Sequence, residues 1–122
     1  MSTDTVDDLY RLGFHRIESG EFAGGLDAFT RADELCPNDH EIIHFMGIAL
    51  MGLCRFEEAL ATMERAIDLF PDNPDSLADS GDCLAKLGRN QDARQAYYRG
   101  LQLTLPGEEA NVRIISAIKR LG

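Results

Sequence analysis

The sequence predicts an all-α fold, a solenoid of three stacked helix pairs closed by a further helix. Three observations predict it. Gly13, Gly47 and Gly81 stand 34 residues apart, and the same offset carries Phe22 to Phe56, Leu26 to Leu60, Ala32 to Ala66 and Pro37 to Pro71. Within a unit, apolar residues recur twice at helical spacing, as in Ile43, Met46, Gly47 and Leu50, then Ala59, Met63, Ala66 and Ile67. Between the halves stands Gly20, Cys54 or Gly88, and glycine suits the left-handed residue that ends a helix. Such a period marks units that cannot bury an apolar face alone and must stack.

The elements follow in order. The first unit spans residues 6–39, and its core "LGFHRIESGEFAGGLDAFTRADELCP" lies in register over the other two. The second, 40–73, begins after Asp39, a good N-cap. The third, 74–107, is announced by Asn73 as N-cap and Pro74 at the first helical position. Phe29, Met63 and Tyr97 share one large apolar column. Cys54, where the other units have glycine, predicts a slightly different turn in the central unit. The last helix, 108–121, carries Val112, Ile115, Ile118 and Leu121 along one face, with Glu108 and Glu109 at its start and Lys119 and Arg120 at its end, as the helix dipole favours. That face is expected to cover the apolar end of the stack, the alternative being a dimerisation or partner-binding helix. All 122 residues read as one domain.

The pattern resembles the tetratricopeptide repeat family over Val6 to Gly107. Small residues fall at the family's eighth position (Gly13, Gly47, Gly81), twentieth (Gly25, Ala59, Ala93) and twenty-seventh (Ala32, Ala66, Gly100). Departures are the missing Trp at the fourth position, Arg16 at the eleventh, and a final proline, Pro106, shifted by one. The resemblance implies a right-handed solenoid whose concave wall is built from the first helix of each unit. It places Tyr10, Phe14 and Ile17 of the first unit on that wall, with His44, Phe45, Ile48 and Met51 of the second and Asp75, Asp79 and Asp82 of the third. The groove is then apolar and aromatic through two units and acidic in the third. Chaperone-cofactor members of the family hold a C-terminal carboxylate with Lys, Asn, Asn, Lys and Arg. The corresponding places here are Tyr10, Phe14, Phe45, Asp75 and Asp79, so that clamp is not expected.

Charge and composition narrow the function. A net charge of −9 and the lack of a Lys/Arg cluster argue against nucleic acid and against an anionic membrane surface. The apolar stretch "HFMGIALMGLCRF" is far shorter than the roughly 20 residues a transmembrane helix needs. "MSTDTVDD" lacks the basic and apolar regions of a signal peptide, and three cysteines without CxxC spacing suit a reducing cytoplasm. Cys36, His40 and His44 form C-x3-H-x3-H, but no fourth ligand is evident and Pro37 interrupts the helix, so no metal is expected. No phosphate loop or nucleophile motif is present, and neither an enzyme nor a cofactor is expected.

The expected function is a non-catalytic protein-interaction module. Apolar anchors in two units would capture an extended or helical segment of a protein partner, and basic residues of that segment would register against Asp75, Asp79 and Asp82, which share one helical face. Two alternatives stand beside it. One is a chaperone like the class II chaperones of bacterial type III secretion, which the acidic three-repeat layout resembles, although the N-terminal helical extension of that family is not seen. The other is a homodimeric assembly subunit whose interface is the apolar patch.

Overall fold

The first helix of each pair starts where a short polar side chain, Thr5, Asp39 or Asn73, takes up amides that have no partner inside the helix. In a computed structural model, which describes residues 5–122, the chain forms α1 (Val6–Glu18), α2 (Phe22–Leu35), α3 (His40–Gly52), α4 (Phe56–Leu69), α5 (Pro74–Lys86), α6 (Asn90–Leu101) and α7 (Glu109–Leu121). Residues 1–4, the start of the acidic run in which no signal peptide is expected, lie outside the described residues. Thr5 and Asp8 cap α1 reciprocally, each accepting from the other's amide; these bonds hold the Asp8 carboxyl below its usual range. Asp39 accepts from the amides of Glu41 and Ile42, and Asn73 from that of Asp75 behind Pro74.

The turns inside the three pairs are one and the same. Gly20, Cys54 and Gly88 take φ of 80°, 59° and 79°. Each turn repeats two hydrogen bonds: Gly20 to the Ile17 carbonyl and Glu21 to Arg16, Cys54 to Met51 and Arg55 to Leu50, Gly88 to Ala85 and Arg89 to Leu84. The different turn expected at Cys54 is therefore not formed. The repeat imposes its geometry on a residue with a Cβ, at a cost of about 1 kcal/mol.

Packing joins two of the sequence columns. A Cβ on Gly13 would lie 2.6 Å from the Phe29 ring, one on Gly47 2.7 Å from Met63, and one on Gly81 2.5 Å from the Tyr97 ring. The glycine of each first helix is thus the seat of the large residue of its second helix. Arg16, out of pattern in sequence, lies across Gly24 in the space a side chain there would need. Buried Leu9, Phe29, Ala32 and Ile42 form one core; Leu50, Leu60, Cys83, Leu84, Tyr97 and Ile114 are the larger members of the other.

Each helix packs on the next, and in addition α1 approaches α3, α3 approaches α5 and α5 approaches α7. Among the described residues no such approach links α2 to α4 or α4 to α6. The odd-numbered helices therefore crowd together on one side, which makes that side the inner wall. Helix α3 packs against α1, α2, α4 and α5, and this accounts for much of the apolar run in its sequence: Ile42, Ile43, His44, Gly47, Ala49 and Leu50 are buried.

The last helix docks by a different face from the one expected. Asn111, Ile114 and Ala117 are its buried residues, while Val112 is 54 % exposed and Ile115 37 %. Ile118 and Leu121 do reach the core, as expected. The stack chooses the narrower, smaller-residue face because Ile114 fits against Gly100, where its Cδ1 comes within 3.0 Å of the missing Cβ.

Candidate functional site

The first two units build an aromatic wall. Tyr10 and Phe14, one turn apart on α1, both meet Phe45 of α3 edge to face, with centroids 5.7 and 5.5 Å away. Phe45 also stacks on the buried Phe29 at 5.4 Å, so the wall is anchored to the core beneath it. Phe14 remains 40 % exposed, and with Tyr10, Arg11, His15 and Glu18 it borders a shallow depression of about 350 Å³. Burial, then the charges of Glu41 and Asp39, pushes the Tyr10 hydroxyl above its usual pKa. Ile17 was expected in the groove but packs inward, its Cγ1 filling the space left by Gly25.

The third unit supplies an ionic floor. His44 was expected at the groove rim; it is instead buried between α3 and α5, with Nε2 2.7 Å from Asp79 Oδ2 and Nδ1 3.2 Å from Ser76 Oγ. Asp79, expected to meet a partner's basic residue, is only 7 % exposed. The cation it meets is Arg113 of α7, which donates to Asp79 and, at 2.9 Å, to Asp82, and lies 3.8 Å from Asp75. Asp82 also accepts from the Tyr97 hydroxyl at 2.5 Å. One internal arginine thus offsets part of the acidic face that the sequence left open. Burial alone would lower the Arg113 pKa, but the charges and hydrogen bonds of Asp79 and Asp82 outweigh it and push it up. Behind this cluster Cys83 is pushed up to about 12 by burial and then by the same two aspartates.

Ile48 and Met51 connect two hollows along the groove. One, of about 430 Å³, is bounded by His44, Phe45, Asp75, Asp79 and Arg113 as well. The other, of about 840 Å³, continues from Ile48 and Met51 over Phe22, Phe56, Ala85 and Tyr97 to Ala117 and Leu121 of α7. Phe22 reaches this hollow across Gly52, where a Cβ would come within 2.3 Å of its ring. The remaining metal-like residues are engaged elsewhere: His40 stacks on Phe70 at 4.6 Å, and Cys36 packs against the first core.

Arg113, Ser76 and Tyr97 were not recognised as site residues from the sequence. A usable signal was present in the column logic: three aspartates on one face are stable when a fixed cation faces them, and the helix after the last repeat is the neighbour of the third unit. Arg113 is the cation in the middle of that helix.

Comparison with known proteins gives three kinds of likeness. A family model described as tetratricopeptide repeat matches residues 46–107. The Hsp70-Hsp90 organizing protein of Triticum aestivum is 27 % identical over 114 residues, 93 % of this chain; the chain spans 20 % of that relative's length. The type III secretion translocator chaperone SycD of Yersinia enterocolitica superposes with a TM-score of 0.91 at 20 % identity, covering 98 % of this chain and 93 % of that one. PcrH of Pseudomonas aeruginosa, solved in complex with the chaperone binding region of PopD, superposes with a TM-score of 0.89 at 22 % identity, covering 99 % and 93 %.

Proposed function

Because the chain belongs to the tetratricopeptide repeat family, we propose that it is a non-catalytic protein-interaction module that holds a segment of a partner along the wall of α1, α3 and α5. The observation that carries this reading is the row Phe14, Phe45, Ile48 and Met51: the exposed Phe14 meets Phe45, Phe45 shares one hollow with Ile48 and Met51, and these two continue into the next. Contiguous apolar surface of this kind marks a docking site, and methionine lets it adapt to its ligand. Of the three aspartates, Asp75, with its side chain 59 % exposed, is the one open to a basic residue of the partner. No helix among the described residues is long and apolar enough to cross a membrane, and we assign the module to the cytoplasm, where Cys36, Cys54 and Cys83 would stay free thiols. The test is the double variant Phe14→Glu with Ile48→Glu. It should abolish capture of a partner from lysate while the far-UV spectrum stays helical, and unchanged capture would sink the reading.

A second reading is a chaperone for a secretion translocator. It is supported by the end-to-end likeness to SycD and PcrH, the latter solved with the chaperone binding region of a client. It requires that the captured partner aggregate or be degraded when this chain is deleted, which a co-expression solubility assay reads directly. The competing occupant is a second copy of the chain over Phe14 and Ile48. Sedimentation at micromolar concentration separates the two, a monomer excluding that occupant.

A further inference from the structure

The larger hollow has a charge opposite to that of the molecule. The chain carries a net charge of −9, yet the ionisable side chains bordering this hollow are Asp82, Lys86 and Arg120, along with the thiol of Cys54 and the phenol of Tyr97. Asp82 is already spent: one oxygen accepts from Tyr97 and the other from Arg113. Lys86, in the last turn of α5, and Arg120, in the last turn of α7, are both exposed and form no ion pair among the described residues. The first residues of α4 and α6, Phe56 and Asn90, border the same hollow, and neither helix has a side-chain cap. The last turns of α3, α5 and α7 border it too, so the helix dipoles offset one another and the positive charge is that of the two side chains. Below this rim the floor is apolar: Phe22, Ile48, Met51, Phe56, Ala117 and Leu121.

We propose that this hollow takes a large apolar side chain of the partner segment flanked by an acidic residue, whose carboxylate is held by Lys86 and Arg120. The assignment rests on the protein-interaction reading above and adds the sign of the ligand's charge at this end of the groove. Continuity favours a polypeptide over a free amphiphile, because Ile48 and Met51 floor both hollows and an extended chain can run over them. The hollow is bordered by residues of all three units and of α7, and its two cations stand on α5 and α7, so the acidic ligand end is placed against the last helix. An ammonium or guanidinium ligand there would meet two like charges with Asp82 unable to offset them.

The experiment is selection from a displayed library of random dodecapeptides against the intact chain, followed by anisotropy titration of the enriched sequences as fluorescein-labelled peptides. Enriched sequences should carry Asp or Glu within two residues of Leu, Met or an aromatic residue. Their affinity should fall at least tenfold in Lys86→Gln with Arg120→Gln, and fall with rising salt in the parent chain. Both positions are exposed, so the double variant should remain folded, and thermal melts verify it. Enrichment of peptides with no acidic preference, or equal binding by the Lys86→Gln/Arg120→Gln chain, overturns this assignment while leaving the groove reading intact. Loss of enrichment in Phe14→Glu, a position outside this hollow, supports that reading separately. No enrichment by the parent chain overturns both.

Discussion

His44 Nε2 lies 2.7 Å from Asp79 Oδ2, joining the second unit to the third beneath the groove. The same carboxylate receives Arg113 from the last helix, so one buried group ties three elements together. Each partner is polar, and each would be costly to bury without the others. The groove floor is thus a stabilising cluster before it is a ligand contact.

Replacing Asp79 with alanine leaves His44 with Ser76 as its remaining partner and opens a cavity beside Arg113. Arg113 keeps Asp82 and is 37 % exposed at its side chain, so the loss is smaller than for a fully buried pair. We expect about 2 kcal/mol of destabilisation in urea melts. Amides of α7 should also lose protection in hydrogen exchange before those of α1. A change under about 0.5 kcal/mol would mean that the cluster contributes nothing net to the fold.

The eighth-position glycines look equivalent in sequence, yet substitution there should not cost the same. A methyl on Gly47 meets the mobile end of Met63, whereas one on Gly81 meets the Tyr97 ring, which is pinned by its bond to Asp82. On Gly13 it meets Phe29, fixed by stacking on Phe45. Alanine also gains about 1 kcal/mol of helix propensity over glycine. Gly47→Ala should therefore be within about 0.5 kcal/mol of the parent, and Gly13→Ala and Gly81→Ala about 2 kcal/mol less stable. Equal losses at all three would show that Met63 cannot yield.

What the sequence made legible was periodic, and what it hid was not. Gly13, Gly47, Gly81 and their partners Phe29, Met63 and Tyr97 recur in phase, so their packing could be anticipated from one chain. The same columns assign Phe14, Phe45, Ile48 and Met51 to the groove; Phe14 meets Phe45, and Phe45, Ile48 and Met51 border one hollow. His44 and Asp79 follow the same columns but face each other across neighbouring helices, a pairing that position within a unit cannot reveal. Arg113 belongs to no repeat, so no column pointed to it. The last helix offers two overlapping apolar faces, and residue size, which favours Val112 and Ile115, points to the wrong one.

Alkaline pH should weaken the fold. An unfolded chain releases a cysteine proton near pH 8.5, whereas folded Cys83 holds it up to about 12. Between those values the native state binds more protons than the unfolded one, so unfolding free energy falls as pH rises, by about 1.4 kcal/mol per pH unit for each such group. Tyr97, raised by burial and then by its bond to Asp82, adds to the slope above pH 10. This source contributes no slope below about pH 8. Urea titrations from pH 7 to 11 should show the decline, and Cys83→Ala should flatten its first part. A parent curve that stays level to pH 10 would contradict the burial of that thiol.

The register of the last helix is decided by substitutions one residue apart. Ile114 is fully buried and sits against Gly100; removing its side chain to alanine should cost about 3 kcal/mol. Val112 and Ile115, the residues favoured by a simple reading of the helical face, are 54 % and 37 % exposed. Val112→Lys should leave the urea midpoint within about 0.5 kcal/mol of the parent, as surface changes do. Ile115→Lys, at the edge of the face, should cost more than Val112→Lys and far less than Ile114→Ala. Because the three positions share a helix and nearly the same propensity, only packing can separate them. The opposite ranking, with Val112→Lys unfolding the cap and Ile114→Ala tolerated, would rotate α7 by about a third of a turn and carry Arg113 away from Asp79.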